Sequence, residues 1–259
     1  MHKHNIVAFE LRGKFASFAD PLGISNTFSL PIPTKTAVAG MIGSFVGIDN
    51  VVEDSRLYDF EYSVVSINPL MKQTFSQNFI ADYTEKVKSK FDMLKKGDRR
   101  IESQPFVEPK PTNRELLINP KYIIFIRHPH YGDKLNENLK NRTPRYPICL
   151  GNSEFAGNFE YLAIDEISFK ENQNAIIDSI FPIDLEIEQF ADNSIYTAVR
   201  MATLVEKGSF DNNRKYGQYK TVIFSNAPTE LKKCAYYNVI FSKAHSGKYH
   251  KDSFNIALV

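Results

Sequence analysis

Near its start the chain alternates Val7, Phe9 and Leu11 with Ala8, Glu10 and Arg12, which predicts a strand with one buried face. A loop with glycine at both ends, Gly13–Gly23, follows it. Pro31 and Pro33 then precede Thr34, a good N-cap residue, and an apolar helical pattern begins. Val38, Met41, Ile42 and Phe45 fall on one face of that helix, with Gly40, Gly43 and Gly47 as a stripe beside it. Each mid-helix glycine costs about 1 kcal/mol relative to alanine, so close packing or close approach of a ligand must explain the stripe. Tyr58–Ile67 reads as a second strand. The continuous apolar run from Lys121 to Arg127 reads as a central strand, Gly132–Asn141 as a short helix and Phe159–Phe169 as a further strand.

Between the second and third strands, residues 69–120 are charged and poor in periodic apolar positions. The segment contains a short helical piece near Tyr83–Lys96, then Gly97-Asp98-Arg99-Arg100, then Pro105, Pro109 and Pro111. That is far longer than an ordinary loop, and such insertions are functional or disordered. The first 170 residues therefore read strand, helix, strand, long insertion, strand, helix, strand, the order of a ferredoxin-like (RRM-like) domain. After residue 170, Ile183, Leu185 and Ile187 alternate strictly with acids, and Tyr196–Val205, Tyr219–Ser225 and Tyr236–Ser242 add strands. The expectation is an α+β protein with a ferredoxin-like domain at 1–170, its insertion at about 69–120, and a β-rich subdomain at 171–259.

Composition narrows this picture. The 259 residues are 42% hydrophobic and 24% charged, which excludes a mostly disordered chain. Two distant cysteines, Cys149 and Cys234, exclude a disulfide scaffold and a Cys-rich zinc site. No signal-like apolar segment opens the chain. The longest uncharged apolar stretch, Thr36–Ile48, falls short of the roughly 20 residues of a membrane span, so no membrane partner and a cytoplasmic location are expected.

The net charge of +2 conceals segregation: −2 over 1–83, +4 over 84–114, −1 over 115–120, +4 over 121–146, −9 over 147–199 and +6 over 200–259. Any one charge run reads most simply as a solvated face. Three basic segments divided by an acidic one suggest a surface for phosphates, with the acidic stretch facing a basic protein neighbour or solvent.

There is no phosphate-loop, HExxH or GxSxG motif, and the pairs His2-x-His4 and His128-x-His130 lack further ligands at diagnostic spacing, so no metal or cofactor is predicted. His128 sits after the central strand among Arg127, Lys134, Arg142 and Arg145. Three roles are open to it: general acid or base in RNA cleavage, hydrogen bonding to a phosphate, or simply ending a strand. The stretch Arg214-Lys215-Tyr216-Gly217-Gln218-Tyr219-Lys220 interleaves rings with cations, as single-stranded nucleic-acid binders do and as basic hairpins also do.

Three stretches together resemble one family. They are the glycine–aromatic loop Gly13–Pro21, the proline-led helix start Leu30–Gly43 with its Gly40-Met41 pair, and Tyr146-Pro147-Ile148-Cys149-Leu150-Gly151. They are similar to the CRISPR-associated Cas-five family of the RAMP superfamily, in an I-B-like form. The resemblance covers most of residues 5–170, and the second half is matched only in being β-rich.

The resemblance implies a non-catalytic subunit of a type I interference (Cascade) complex that caps the 5′ handle of the CRISPR RNA. Its insertion would be a thumb, ordered on assembly, that lies against a backbone subunit, with the large subunit and target DNA nearby. On this reading Lys14, Phe15, Ser17, Phe18, Thr34, Lys35, Thr36, Arg99, Arg100, Arg127, His128 and Arg145 contact RNA. The N-terminus of the helix after Thr34 fits a phosphate independently, and Phe15 and Phe18 would either stack on bases or fill the core. One branch of the family cleaves repeat RNA without metal using Tyr, Lys and His. Here only His128 falls in a comparable place, with Arg127 before it in place of Lys. A metal-independent endoribonuclease is the alternative.

Overall fold

The computed structural model describes residues 6–20, 23, 26–80, 85–97, 109–190, 192, 194–208, 214–245, 247–249 and 251–259. The first half runs β1 (Ile6–Gly13), β2 (Phe15–Ala16), β3 (Phe18–Ala19), β4 (Ser29–Leu30), α1 (Lys35–Val46), β5 (Glu61–Ser66) and β6 (Met71–Ile80). It continues with α2 (Glu85–Lys95), β7 (Pro109–Ile118), β8 (Lys121–Arg127), α3 (Gly132–Asn141) and β9 (Gly157–Leu162). The second half runs β10 (Ile164–Ile177), β11 (Phe181–Pro182), β12 (Ile187–Gln189), β13 (Tyr196–Lys207), β14 (Arg214–Ser225), β15 (Thr229–Phe241) and β16 (Ser253–Ile256). Among the described residues no helix is long and apolar enough to cross a membrane.

The central sheet has the order β5-β8-β1-β9, with every neighbouring pair antiparallel. Its two faces follow from the period-two rule. Val7, Phe9, Leu11, Tyr122, Ile124 and Ile126 pack in one core with α1 and α3. Ile6, Ala8, Ile123 and Phe125 pack in a second core with Tyr237, Val239 and Phe241 of β15 and Phe254 and Ile256 of β16. Burial on both faces is why β8 is continuously apolar. β13 and β14 place Val199, Met201, Val205, Val222 and Phe224 in the same core as α1.

Helix α1 starts where the sequence places it. The Thr34 hydroxyl accepts from the Ala37 N–H at 3.3 Å, and Gly47, at φ +80°, closes the helix by donating to the Gly43 carbonyl. Gly47 is therefore a C-cap, a conformation that favours glycine, and leaves the mid-helix stripe. The proline segment before α1 is tied to the sheet by two buried phenols. Tyr122 donates to the Pro31 carbonyl at 2.7 Å, and Tyr62 lies 3.3 Å from that of Pro33.

The insertion at 69–120 holds more order than its composition suggests. β6 and β7 pair from Met71↔Ile118 to Ile80↔Pro109, and β2 joins β7 at the base. β6 lies in solvent, with Met71–Asn78 exposed throughout, so no hydrophobic alternation marks it, while β7 buries Leu116 and Leu117 near the base. Phe15 anchors the base, 6.2 Å from the Phe75 ring and 6.5 Å from that of Phe155. The helix expected near Tyr83–Lys96 is α2.

Two expected strands are divided. Phe159–Phe169 becomes the end of β9 and the start of β10, because Ala163 marks the passage from the central sheet to the β15 sheet. β10 runs on to Ile177, so a boundary at residue 170 falls inside one strand. Ile183-Leu185-Ile187 is also not one strand. A turn in which the Leu185 N–H reaches the Pro182 carbonyl carries the chain from β11, paired with β14, to β12, paired with β15, leaving Ile183 exposed.

The buried carboxylate of Glu10 joins the two halves. It accepts from the Tyr249 hydroxyl at 2.6 Å, from Arg12 at 2.5 Å and from Lys248 at 3.2 Å, with Lys121 at 3.4 Å. Burial alone would raise its pKa, but the bonds from Tyr249 and Lys248 and the charges of Lys248 and Lys121 outweigh this and hold it below 4.5. The contribution is thus full above pH 4.5 and is lost as pH falls through the lower folded value. We expect Glu10→Gln to destabilise the protein by about 2 kcal/mol at neutral pH, read from urea unfolding, with a smaller difference at acid pH. An unchanged unfolding midpoint would contradict this.

Candidate nucleic-acid interface

A cavity of about 560 Å³ opens between the start of α1 and the β13–β14 hairpin. The helix contributes Thr34, Thr36, Ala37, Gly40, Met41 and Ser44. The first loop contributes Ser17 and Phe18, the Pro147–Ser153 turn contributes Cys149 and Asn152, and the hairpin contributes Arg200, Arg214, Tyr216 and Tyr219. Among the described residues the lining holds two arginines and no carboxylate. A desolvated anion meets positive charge there and no acid to repel it.

The sequence builds each wall locally. Tyr216 and Tyr219 are three positions apart, yet both face the cavity. Gln218 between them takes a left-handed φ of 49°, which interrupts the two-residue alternation of β14. The Arg200 guanidinium lies 5.0 Å from the centroid of the Tyr219 ring. Tyr58, behind the mouth, is pushed up to about 12 by burial against the opposing charge of Arg214, so its phenol stays neutral. Gly151, at φ +92°, lies against the backbone of Ser17, where a Cβ would come within 1.8 Å of the Ser17 carbonyl oxygen.

The α1 N-terminus is not a bare donor cluster. The Lys35 N–H donates to the Met201 sulfur at 3.3 Å, the Ala37 N–H to the Thr34 hydroxyl and the Val38 N–H to the Thr34 carbonyl. The Thr34 and Thr36 hydroxyls, 3.1 Å apart, line the cavity. The Lys35 side chain turns away from it, with its ammonium 5.0 Å over the Phe60 ring, and burial followed by the charge of Lys220 lowers its pKa.

The residues named from the sequence separate into groups. Ser17, Phe18, Thr34 and Thr36 meet at the cavity. Phe18 is 2% exposed and packs edge-on against Tyr122, so its ring fills the core and only its margin reaches the cavity. Phe15 belongs to the base of the β6–β7 arm, with the exposed Lys14 ammonium 5.8 Å from its ring. Arg127 is engaged elsewhere, with Glu61 and with the Tyr237 hydroxyl at 2.5 Å. Arg145 lies beside Asp49 and Tyr146 and covers Gly47. Arg99 and Arg100 lie outside the described residues.

His128 is 4% exposed and stacks on Phe60 at 5.7 Å, and its Nδ1 accepts from the N–H groups of His130 and Tyr131, each at 3.2 Å. It closes the turn between β8 and α3. Of the three roles open to it from the sequence, this geometry is that of a strand-ending residue. Sequence reasoning flagged the 214–220 stretch but did not bring it to α1, and it missed Arg200. The available signal was the ring–cation spacing; the missing knowledge was that β13 packs over the helix start.

This is a strand-rich α+β chain with a cationic, ring-bearing cavity. The sequence profile described as CRISPR-associated protein (Cas_Cas5) matches residues 6–221, and the chain belongs to that family. Among solved structures it is similar to a chain titled "CRISPR RNA-guided surveillance complex", with a TM-score of 0.51 and 13% identity over 88% of this chain and 91% of that one. It also matches a CRISPR protein from Archaeoglobus fulgidus, with a TM-score of 0.48 and 12% identity over 90% of this chain and 95% of that one. At such identity the first likeness speaks for the fold. No curated protein matches the sequence.

Burial first, and then the neighbouring His130, lower the pKa of His128 from 6.5 to about 4. A histidine depressed on folding stabilises the protein above its unfolded pKa of 6.5, and that contribution is lost as pH falls from 6.5 towards 4. An NMR titration should find the His128 ring neutral down to about pH 4. A midpoint at an unperturbed 6.5 would contradict the buried geometry.

Proposed function

We propose that this protein is a non-catalytic RNA-binding subunit of a type I CRISPR interference (Cascade) complex, holding the 5′ handle of the CRISPR RNA. The observation that carries this reading is a cavity with no carboxylate among its described lining residues, in which Arg200 and Arg214 face the hydroxyl-bearing first turn of α1 and two exposed tyrosines flank them. Single-stranded RNA is bound by this combination of stacking rings and cations. Membership of the family and the fold likeness to a surveillance-complex chain support the assembly context.

The reading extends to architecture. The sheet order β5-β8-β1-β9, with α1 and α3 as crossovers, supports a ferredoxin-like N-terminal domain. The β6–β7 arm with α2 supports the thumb, which would lie against a backbone subunit, while the large subunit and target DNA lie near. The acidic 147–199 stretch, −9 in formal charge, suits a basic protein neighbour. The buried, neutral His128 supports the non-catalytic reading over a metal-independent endoribonuclease.

The test is binding of a labelled single-stranded RNA made from the repeat of the protein's own CRISPR array. Arg200→Ala with Arg214→Ala should weaken binding and flatten its salt dependence by a slope of roughly 0.7 for each phosphate no longer neutralised. In EDTA the RNA should stay intact. Unchanged affinity in the arginine variant would refute the RNA site, and cleavage abolished by His128→Ala would favour the endoribonuclease.

A further inference from the structure

Gly40 stands within α1, where alanine would serve the helix better unless a side chain were forbidden. Among the described residues nothing forbids one, because a Cβ built on Gly40 meets no atom of theirs within 4 Å. The other glycines of the stripe differ. A Cβ on Gly43 would meet Val51 at 3.3 Å, and Gly47 has the positive φ of a helix end. Gly40 instead lines the cavity between Ala37 and Ser44, where the helix presents bare backbone to open space.

A second, independent observation points to an occupant. Ser17 is 1% exposed and lines the same cavity, and its buried hydroxyl has no hydrogen-bond partner among the described residues. Such groups are rare in folded proteins and are satisfied by a ligand or water. The surroundings of Gly40 also select the chemistry. Ala37 and Met41 flank it on the helix, and the helix residues that line the cavity carry no charge, so a phosphate against the helix would gain less than one beside Arg200 and Arg214. A flat, mostly apolar ring loses little and gains favourable packing.

We propose that Gly40 is a specificity-determining residue: the open space above it seats one unpaired nucleobase of the bound RNA. The Ser17 hydroxyl bonds the edge of that base, and the flanking phosphates fall to Arg200 and Arg214. This rests on the RNA-binding reading given above.

The test combines Gly40→Ala, Gly40→Leu and RNA oligonucleotides carrying a single abasic residue at each position in turn. Gly40→Ala should raise the melting temperature by a few degrees, since it improves the helix and meets nothing. Gly40→Leu should weaken RNA binding about tenfold or more without lowering the melting temperature. One abasic position should cost the wild type about tenfold and cost Gly40→Leu nothing further, because both remove the same interaction.

A lower melting temperature for Gly40→Ala would make the glycine a packing residue and overturn the inference. So would an abasic series with no position coupled to Gly40→Leu, which would assign the space to backbone phosphate or ribose. If Gly40→Leu binds as tightly as wild type while the arginine variant loses RNA, this inference fails and the RNA reading stands. If neither variant changes binding, the RNA reading itself fails.

Discussion

The sulfur of Met201 sets the distance between the two walls of the cavity. It lies 3.3 Å from the Lys35 N–H at the start of α1 and 2.9 Å from the Tyr62 hydroxyl of β5, and it is buried. A thioether is a weak acceptor, but here it meets two donors that burial deprives of water. Through it β13 is held over the helix N-terminus, and β14, paired to β13 from Tyr196↔Ser225 to Lys207↔Arg214, comes with it. Tyr122, donating to the Pro31 carbonyl, fixes the proline segment that aims the helix. Without this bridge Arg200, Arg214 and the two tyrosines would be an ordinary basic hairpin.

The electrostatics follow from that placement. A net charge of +2 argues little by itself. What matters is that the −9 stretch supplies no side-chain carboxylate to the cavity, while the basic tail supplies two guanidinium groups. Acids elsewhere are spent on structure. Glu10 ties the first strand to Lys248 and Tyr249, Glu61 holds Arg127, and Glu186 and Glu188 hold Lys232. The same chain can therefore be nearly neutral and still place two guanidinium groups, and no carboxylate among the described residues, at one site.

Much of the fold was legible in the sequence because local signals decide it. Thr34 and the two prolines announced α1, and the run at 121–127 announced a strand buried on both faces. The arm was not legible, because Met71–Asn78 pair in solvent, where no apolar periodicity is required. Ile183–Ile187 misled, since strict alternation also arises where a chain turns from one sheet to another. The site was half legible. Thr34, Thr36 and Ser17 were named, but Arg200 and the 214–220 stretch reach them only through packing between residues about 165 apart in sequence. The burial of Phe18 and His128 likewise depends on neighbours, Tyr122 and Phe60, that spacing does not specify.

The central claim is that RNA lies between α1 and the β13–β14 hairpin. Photocrosslinking of 4-thiouridine-bearing repeat RNA, followed by mass spectrometry of the crosslinked peptides, tests it most directly. The account predicts crosslinks on residues 34–44 and on 214–220. Crosslinks confined to the β6–β7 arm, or to the exposed face of β10, would contradict it.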